Sequence, residues 1–248
     1  MARCCVRWSL LSLFLLLLLG CGPVTTQPPR SADGGPETSD KPLPETPNAK
    51  HSTPQIDAAA EAIFEVEDDF QMLTFTDFDA FGAGVSTWTA TDNGLTCLGK
   101  PKGYLYSKLE FRNFTWRLDY RFPRPENLRD ETKFKGNTGF LVGISGEHKI
   151  WPMCLEVQGK HGQMAAIKEN GGAVPVTTVD NEDARQKARK PLGQWNSIEI
   201  VSNEGALAVS LNGIPVSRSE PATNQTGMIG IQAEDHPFEV RRIRVRRD

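Results

Sequence analysis

Phe114-Thr115-Trp116-Arg117-Leu118-Asp119-Tyr120-Arg121 sets Phe114, Trp116, Leu118 and Tyr120 at every second position, with Thr115, Arg117, Asp119 and Arg121 between them. Successive side chains of a strand point to opposite faces, so this stretch predicts a strand with one apolar and one polar face. The pattern recurs downstream. Residues 197–202 and 206–211 read as two more strands, and Asn212-Gly213 before Ile214 is a strong tight-hairpin signal because both residues tolerate positive φ. Residues 227–232 and 238–245 complete the run. The closing Arg241-Arg242-Ile243-Arg244-Val245-Arg246-Arg247 is basic, but its alternation predicts a strand with Ile243 and Val245 inward and Arg244 and Arg246 in solvent. Only residues 180–190 are charged enough to form a helix or a mobile loop. Many short strands separated by turns, without an internal repeat, imply an antiparallel β-sandwich.

Upstream the composition changes. Eight of the 17 prolines lie between Gly22 and Pro54, and no aromatic residue follows Gly22 until Phe64. Such a stretch buries too little apolar surface to offset its ordering entropy, so residues 21–61 read as a disordered tether before a domain at 62–248. Residues 57–62, rich in alanine, suit a short helix leading into that domain. Before the tether, Arg3 and Arg7 precede an apolar run from Leu10 to Leu19, the layout of an export signal. The run is shorter than the roughly 20 residues that span a bilayer. Its end, Leu18-Leu19-Gly20-Cys21, resembles the bacterial lipobox. That resemblance implies cleavage after residue 20, a lipid on Cys21, membrane attachment through it, and a domain in the periplasm or outside the cell.

The formal net charge is −3, and losing Arg3 and Arg7 makes it more negative, which argues against a nucleic-acid partner. Cys4 and Cys5 leave with the signal. Cys97 and Cys154 remain; two cysteines make no metal-binding spacing, and both a disulfide and two separate buried thiols stay open.

Polar residues that suit chemistry cluster between Asn137 and His161. Alternation puts Thr138, Phe140, Val142 and Ile144 on one strand face and Asn137, Gly139, Leu141 and Gly143 on the other. The next strand sets Trp151, Met153, Leu155 and Val157 against Cys154, Glu156 and Gln158. With the apolar faces in the core, Asn137, Glu156 and Gln158 share the opposite face, and Gly139 and Gly143 leave room above it. A hydrogen-bonding floor with space over it suits a sugar; a plain wet face of an edge sheet has the same pattern. Glu234, Asp235 and His236 read as an exposed turn. Trp195 and Asn196 read as packing and turn residues.

In order, the chain shows Gly103-Tyr104-Leu105, Phe114-x-Trp116-x-Leu118-x-Tyr120, Gly136-Asn137-Thr138-Gly139 and Leu155-Glu156-Val157-Gln158. Gln194-Trp195-Asn196, Leu211-Asn212-Gly213, Gly227-x-Ile229-Gly230-Ile231-Gln232 and residues 240–245 follow. The series resembles the 3-keto-disaccharide hydrolase domain family, an all-β concanavalin A-like jelly roll, over residues 70–247. Gly159-Lys160-His161 departs from the family, which usually has an acidic or amide-rich turn there.

The resemblance implies a carbohydrate oxidised at C3. The ketone acidifies the C2 proton, and the glycosidic oxygen on C1 lies β to the carbonyl, so a base removes the proton and expels the aglycone, with or without later addition of water. Such a site needs a base, a group that polarises the ketone, and optionally a divalent metal to share the enolate charge. Glu156 is the first candidate for base or metal ligand, with His148 and His161 bracketing it. Gln158, Asn137 and Gln232 suit sugar hydroxyls, Lys160 an enolate, and Trp151 a sugar ring. A conventional glycosidase needs two flanking carboxyl groups, and Gln158 stands where a second acid would follow Glu156. Tyr104, Tyr106 and Trp151 suit equally a non-catalytic carbohydrate-binding or adhesion module.

Overall fold

The computed structural model describes residues 64–92, 94–223 and 225–248. The signal, Cys21, the tether and the short helix expected at 57–62 lie outside the described residues. The first strands are β1 (Gln71–Met72), β2 (Phe78–Phe81), β3 (Trp88–Thr91), β4 (Gly94–Cys97), β5 (Gly103–Phe111) and β6 (Phe114–Arg121). Next come β7 (Gly139–Ser145), β8 (Met153–Gln158), β9 (Ile167–Asn170) and β10 (Thr178–Asp180). A short helix, α1 (Glu182–Ala188), precedes β11 (Asn196–Asn203), β12 (Ala206–Leu211), β13 (Ile214–Ser219), β14 (Gly227–Ala233) and β15 (Phe238–Arg247). Asn181 caps α1 by accepting from the Ala184 N–H, and Glu182 and Asp183 complement its first turn.

Two antiparallel sheets form the jelly-roll sandwich. The larger runs β10-β13-β12-β11-β6-β15-β4-β3, with β1 added on β15, and the smaller runs β2-β5-β14-β7-β8-β9. The period-2 pattern supplies the core between them. Trp116, Leu118, Tyr120, Ile198, Ile200 and Val209 face inward from the larger sheet, and Leu105, Phe140, Leu155, Val157, Ile229 and Ile231 from the smaller. Phe140 joins the layers, its ring edge-on to Tyr120 at 5.0 Å and to Trp116 at 6.1 Å. The fully buried Tyr120 hydroxyl donates to the Gly159 carbonyl at 3.0 Å, tying β6 to the turn that leaves β8. At the hairpin, Asn212 and Gly213 both take positive φ, 50° and 81°, as a type I′ turn requires.

Of several register shifts, two bear on the sequence reading. Gly143, at φ 73°, lies where β7 slips register against β8, between Val142 and Ser145. The extra residue turns Ile144 out of the main core and into a second cluster with Tyr104, Leu141 and Cys154. Beyond the slip, Trp151 and Met153 are 39% and 38% exposed, not packed beside Leu155 and Val157. The second bulge sits at Arg242, φ 53°, in β15. Ile243 and Val245 point inward as expected, but Arg244 is not in solvent. It is 8% exposed, bonded through Nε to Glu67 at 2.6 Å, and covered by Phe64 and Phe70. Arg244 holds the Glu67 carboxyl down at about 2. Cys97 and Cys154 are buried free thiols; burial pushes Cys97 up to about 12 and Cys154 higher still, which leaves both unreactive.

Phe140→Ala opens a cavity between the sheets and is expected to cost about 3–5 kcal/mol, read as a lower midpoint in urea denaturation.

Candidate functional site

Because Phe140, Val157 and Ile231 fill the core, their neighbours Gly139, Gln158 and Gln232 must point to the other face of the smaller sheet. The ladder sets them side by side. Tyr104 pairs with Gln232, Ile231 with Phe140 one step along, and Gly139 with Gln158. The next row runs Tyr106, Gly230, Leu141, Glu156, Lys168. This face is a floor of two rows, with the polar groups gathered over β14, β7 and β8.

Glu156 is the centre of it. A Cβ built on Gly139 would lie 2.2 Å from Glu156 Oε1, so the carboxylate fills the space the glycine leaves. The expected room above Gly139 is therefore occupied by the acid itself. Gln158 Nε2 donates to Oε1 at 2.7 Å, and both side chains are only 7% exposed. That corrects the wet-face reading, and β8 is an interior strand, between β7 and β9. Burial, reinforced by the charge of Glu234 and opposed by Lys168, pushes the Glu156 carboxyl up to about 7.

Around it stand groups with unused hydrogen-bonding capacity. Gln232 is 1% exposed, and neither atom of its amide has a partner among the described residues. Asn137 donates through Nδ2 to Glu234 Oε2 at 2.6 Å, while its Oδ1 is buried without a partner. Glu234 was hidden by the exposed-turn reading. It is half-buried, and burial raises its carboxyl although Lys102 and Lys160 oppose this. Its signal in the sequence was slight: Glu234 lies two residues past Gln232, just beyond the end of β14. Lys102 pairs with Asp235 at 2.7 Å and lies 5.7 Å from the Trp151 ring, which brings Trp151 to this end of the site.

The two histidines go to different places. His148 is held on the same face but over β5, three strands away from β8. Its Nδ1 lies 2.7 Å from the Tyr104 hydroxyl, and its ring sits 4.3 Å from Tyr106 and 5.6 Å from Phe81. Burial pushes Tyr104 up to about 12, so the phenol is neutral. His161 turns instead toward residues 131–136. Its ring is edge-on to Phe134, and Nε2 is 3.7 Å from Glu131 Oε2. Burial and the Arg189 charge hold it down at about 4. Among the described residues neither histidine is hydrogen-bonded to Glu156, and no three His, Cys, Asp or Glu side chains converge to hold a metal. The residues on this face thus do not fit a resident metal, and Lys102, Lys160 and Lys168 are among its cations. His236 is half-buried, its ring edge-on to Phe134.

Three cavities elsewhere compete poorly as chemical sites. One, about 500 Å³, is lined by Phe111, Phe114, Val142, Leu155 and Leu207, and its one titratable group is the buried Cys154.

Residues 73–246 match the model of the 3-keto-alpha-glucoside-1,2-lyase-like domain. The chain belongs to that family. Membership of the 3-keto-alpha-glucoside-1,2-lyase-like family gives the domain a carbohydrate-related function, in agreement with the ordered phrases from Gly103-Tyr104-Leu105 onward. Two crystal structures from Parabacteroides distasonis ATCC 8503, of proteins named as candidate glycosyl hydrolases, have the same fold. One is 19% identical at a TM-score of 0.51, covering 70% of this chain and 94% of its own. The other is 18% identical at 0.52, covering 72% and 93%. Likeness at this identity concerns the fold. No curated protein matches the chain in sequence.

Below about pH 4.5 the Glu156 carboxyl is protonated in the folded and the unfolded chain; between there and about pH 7 only the folded chain keeps the proton. Ionising this group therefore costs stability as pH rises through that window. Glu156→Gln removes the loss. The variant is expected to exceed the parent by of order 2 kcal/mol at pH 8, with the gap closing toward pH 4.5, in urea titrations at both pH values.

Proposed function

We propose that this domain cleaves the glycosidic bond of 3-keto-α-glucosides by abstracting the C2 proton, with Glu156 as the base. The observation that carries this is a carboxylate sheltered over Gly139, held by Gln158 and raised to about 7, in a family described by a 1,2-lyase. A base titrating near neutrality is half-ionised at working pH and strong enough to take a proton acidified by an adjacent ketone. The free amide of Gln232 and the free Oδ1 of Asn137 suit sugar hydroxyls, because a bound sugar would satisfy groups otherwise left unpaired. Lys160 and Lys102 put positive charge on the side where enolate charge develops.

His148, braced by Tyr104, faces the same floor from β5. Neighbouring strands lie about 4.8 Å apart, so β5 and β8 are about 14 Å apart, a span suited to a disaccharide. His148 is then a ligand for the aglycone half, and Trp151 a wall beside the glycone. Elimination is the step that the family description favours; hydrolysis requires water to add to the unsaturated ketone afterwards.

Incubated with p-nitrophenyl 3-keto-α-glucoside, the wild-type protein is expected to release nitrophenol, and Glu156→Gln to lose about 10²–10⁴-fold in kcat. Equal rates for the two proteins would remove the assignment. A non-catalytic module would bind the glycoside without releasing aglycone in either protein.

The lipobox-like Leu18-Leu19-Gly20-Cys21 supports a cell-envelope location, with the domain attached to a membrane through a lipid on Cys21. On this reading Cys21→Ala moves the protein from the membrane fraction to the soluble fraction of its native host, and unchanged fractionation would count against it.

A further inference from the structure

Elimination leaves a chemical problem that one base does not solve: the aglycone departs as an alkoxide unless it is protonated. Glu156 sits over Gly139. Asn137 lies two positions earlier, just before β7 begins. Asn137 is bridged to Glu234 and donates to its Oε2 at 2.6 Å. Glu234 in turn lies two positions past Gln232, just beyond the end of β14. The Asn137–Glu234 bridge and the Gly139–Gln158 pair thus bring the second carboxyl group to the same end of the sheet as the first, and its charge acts on Glu156.

On the basis of the proposed elimination, we infer that Glu234 is the general acid that protonates the departing glycosidic oxygen, held for that task by Asn137. The charge of Glu234 acts on Glu156, so the pair holds a single proton over a range of pH, and the form that reacts is the one with Glu156 ionised and the proton on Glu234. Burial raises Glu234 in the same sense.

The step balances as follows. The Glu156 carboxylate takes the C2 proton, and the C–H electron pair forms the C2=C3 bond of the enolate, with its charge on the C3 oxygen. As the C3 carbonyl re-forms, the C1=C2 bond forms and the C1–O bond breaks. That electron pair leaves on the glycosidic oxygen, which takes the proton from Glu234. Glu156 has then gained one proton and Glu234 has lost one, and exchange with water restores both.

The test varies the leaving group. A nitrophenolate departs without protonation, whereas a methoxide does not. Rates are compared for p-nitrophenyl and methyl 3-keto-α-glucosides with the wild type and Glu234→Gln. The expected result is that kcat/KM for the methyl glycoside falls about 100-fold more than for the nitrophenyl glycoside. Equal losses on both substrates, or no loss on either, would overturn the role of Glu234. Wild-type protein inactive on both would overturn the proposed function itself, and this role with it. Circular dichroism and a melting curve report whether the variant folds; if it does not, Glu234→Asp and Asn137→Ala are read by the same substrate ratio. For those two a shifted ratio supports the assignment, and an unchanged one overturns it.

Discussion

The ring of Phe140, wedged between Trp116 and Tyr120, is the contact on which the arrangement of the other face depends. It fixes which residues of β7 enter the core. A slip of one residue would exchange the two faces, sending Phe140 to the surface and Gly139 between the sheets. With Phe140 seated, Gly139 must lie outside, and its missing side chain makes the space that Glu156 fills. Val157 and Ile231 do the same for β8 and β14, so an apolar core decides the positions of three polar side chains that never touch it.

The placement works against stability. A carboxyl group that burial raises to about 7 is paid for when it ionises, and the hydrogen bond from Gln158 only partly offsets that cost. Lys168, directly across from it on β9, favours the ionised form; Glu234 opposes it. Gln232 adds a buried amide with neither atom paired. Native interiors hold few such groups, and several on one face indicate a surface completed by something it binds.

Much of this was legible in the chain. The 114–121 alternation, the Asn212-Gly213 turn and the inward Ile243 and Val245 follow from period-2 geometry and turn chemistry. So does the sharing of one face by Glu156 and Gln158. A bulge at Gly143 turned Ile144 over, and Trp151 and Met153, near the start of β8, are more exposed than the alternation implied. Positive φ at a glycine inside an apolar run is invisible to alternation counting. His161 was misjudged for another reason. Sequence nearness to Glu156 says nothing about direction once the strand ends at Gln158, and the turn carried the ring toward Phe134. Glu234 was overlooked because a run of charge before a strand looks like solvent-facing loop.

The segment from Phe64 to Met72 is easily mistaken for an approach to the domain, since the family match begins only at residue 73. Its side chains say otherwise. Phe64 stacks on Arg242 and Arg244, Glu67 joins Arg244 to Arg117, and Phe70 lies against three guanidinium groups of the larger sheet. Cutting the chain at the edge of the family match would strip that cover and strand the nearly buried cation of Arg244 without its counter-ion. The smallest fragment with an intact rear wall therefore starts no later than Phe64.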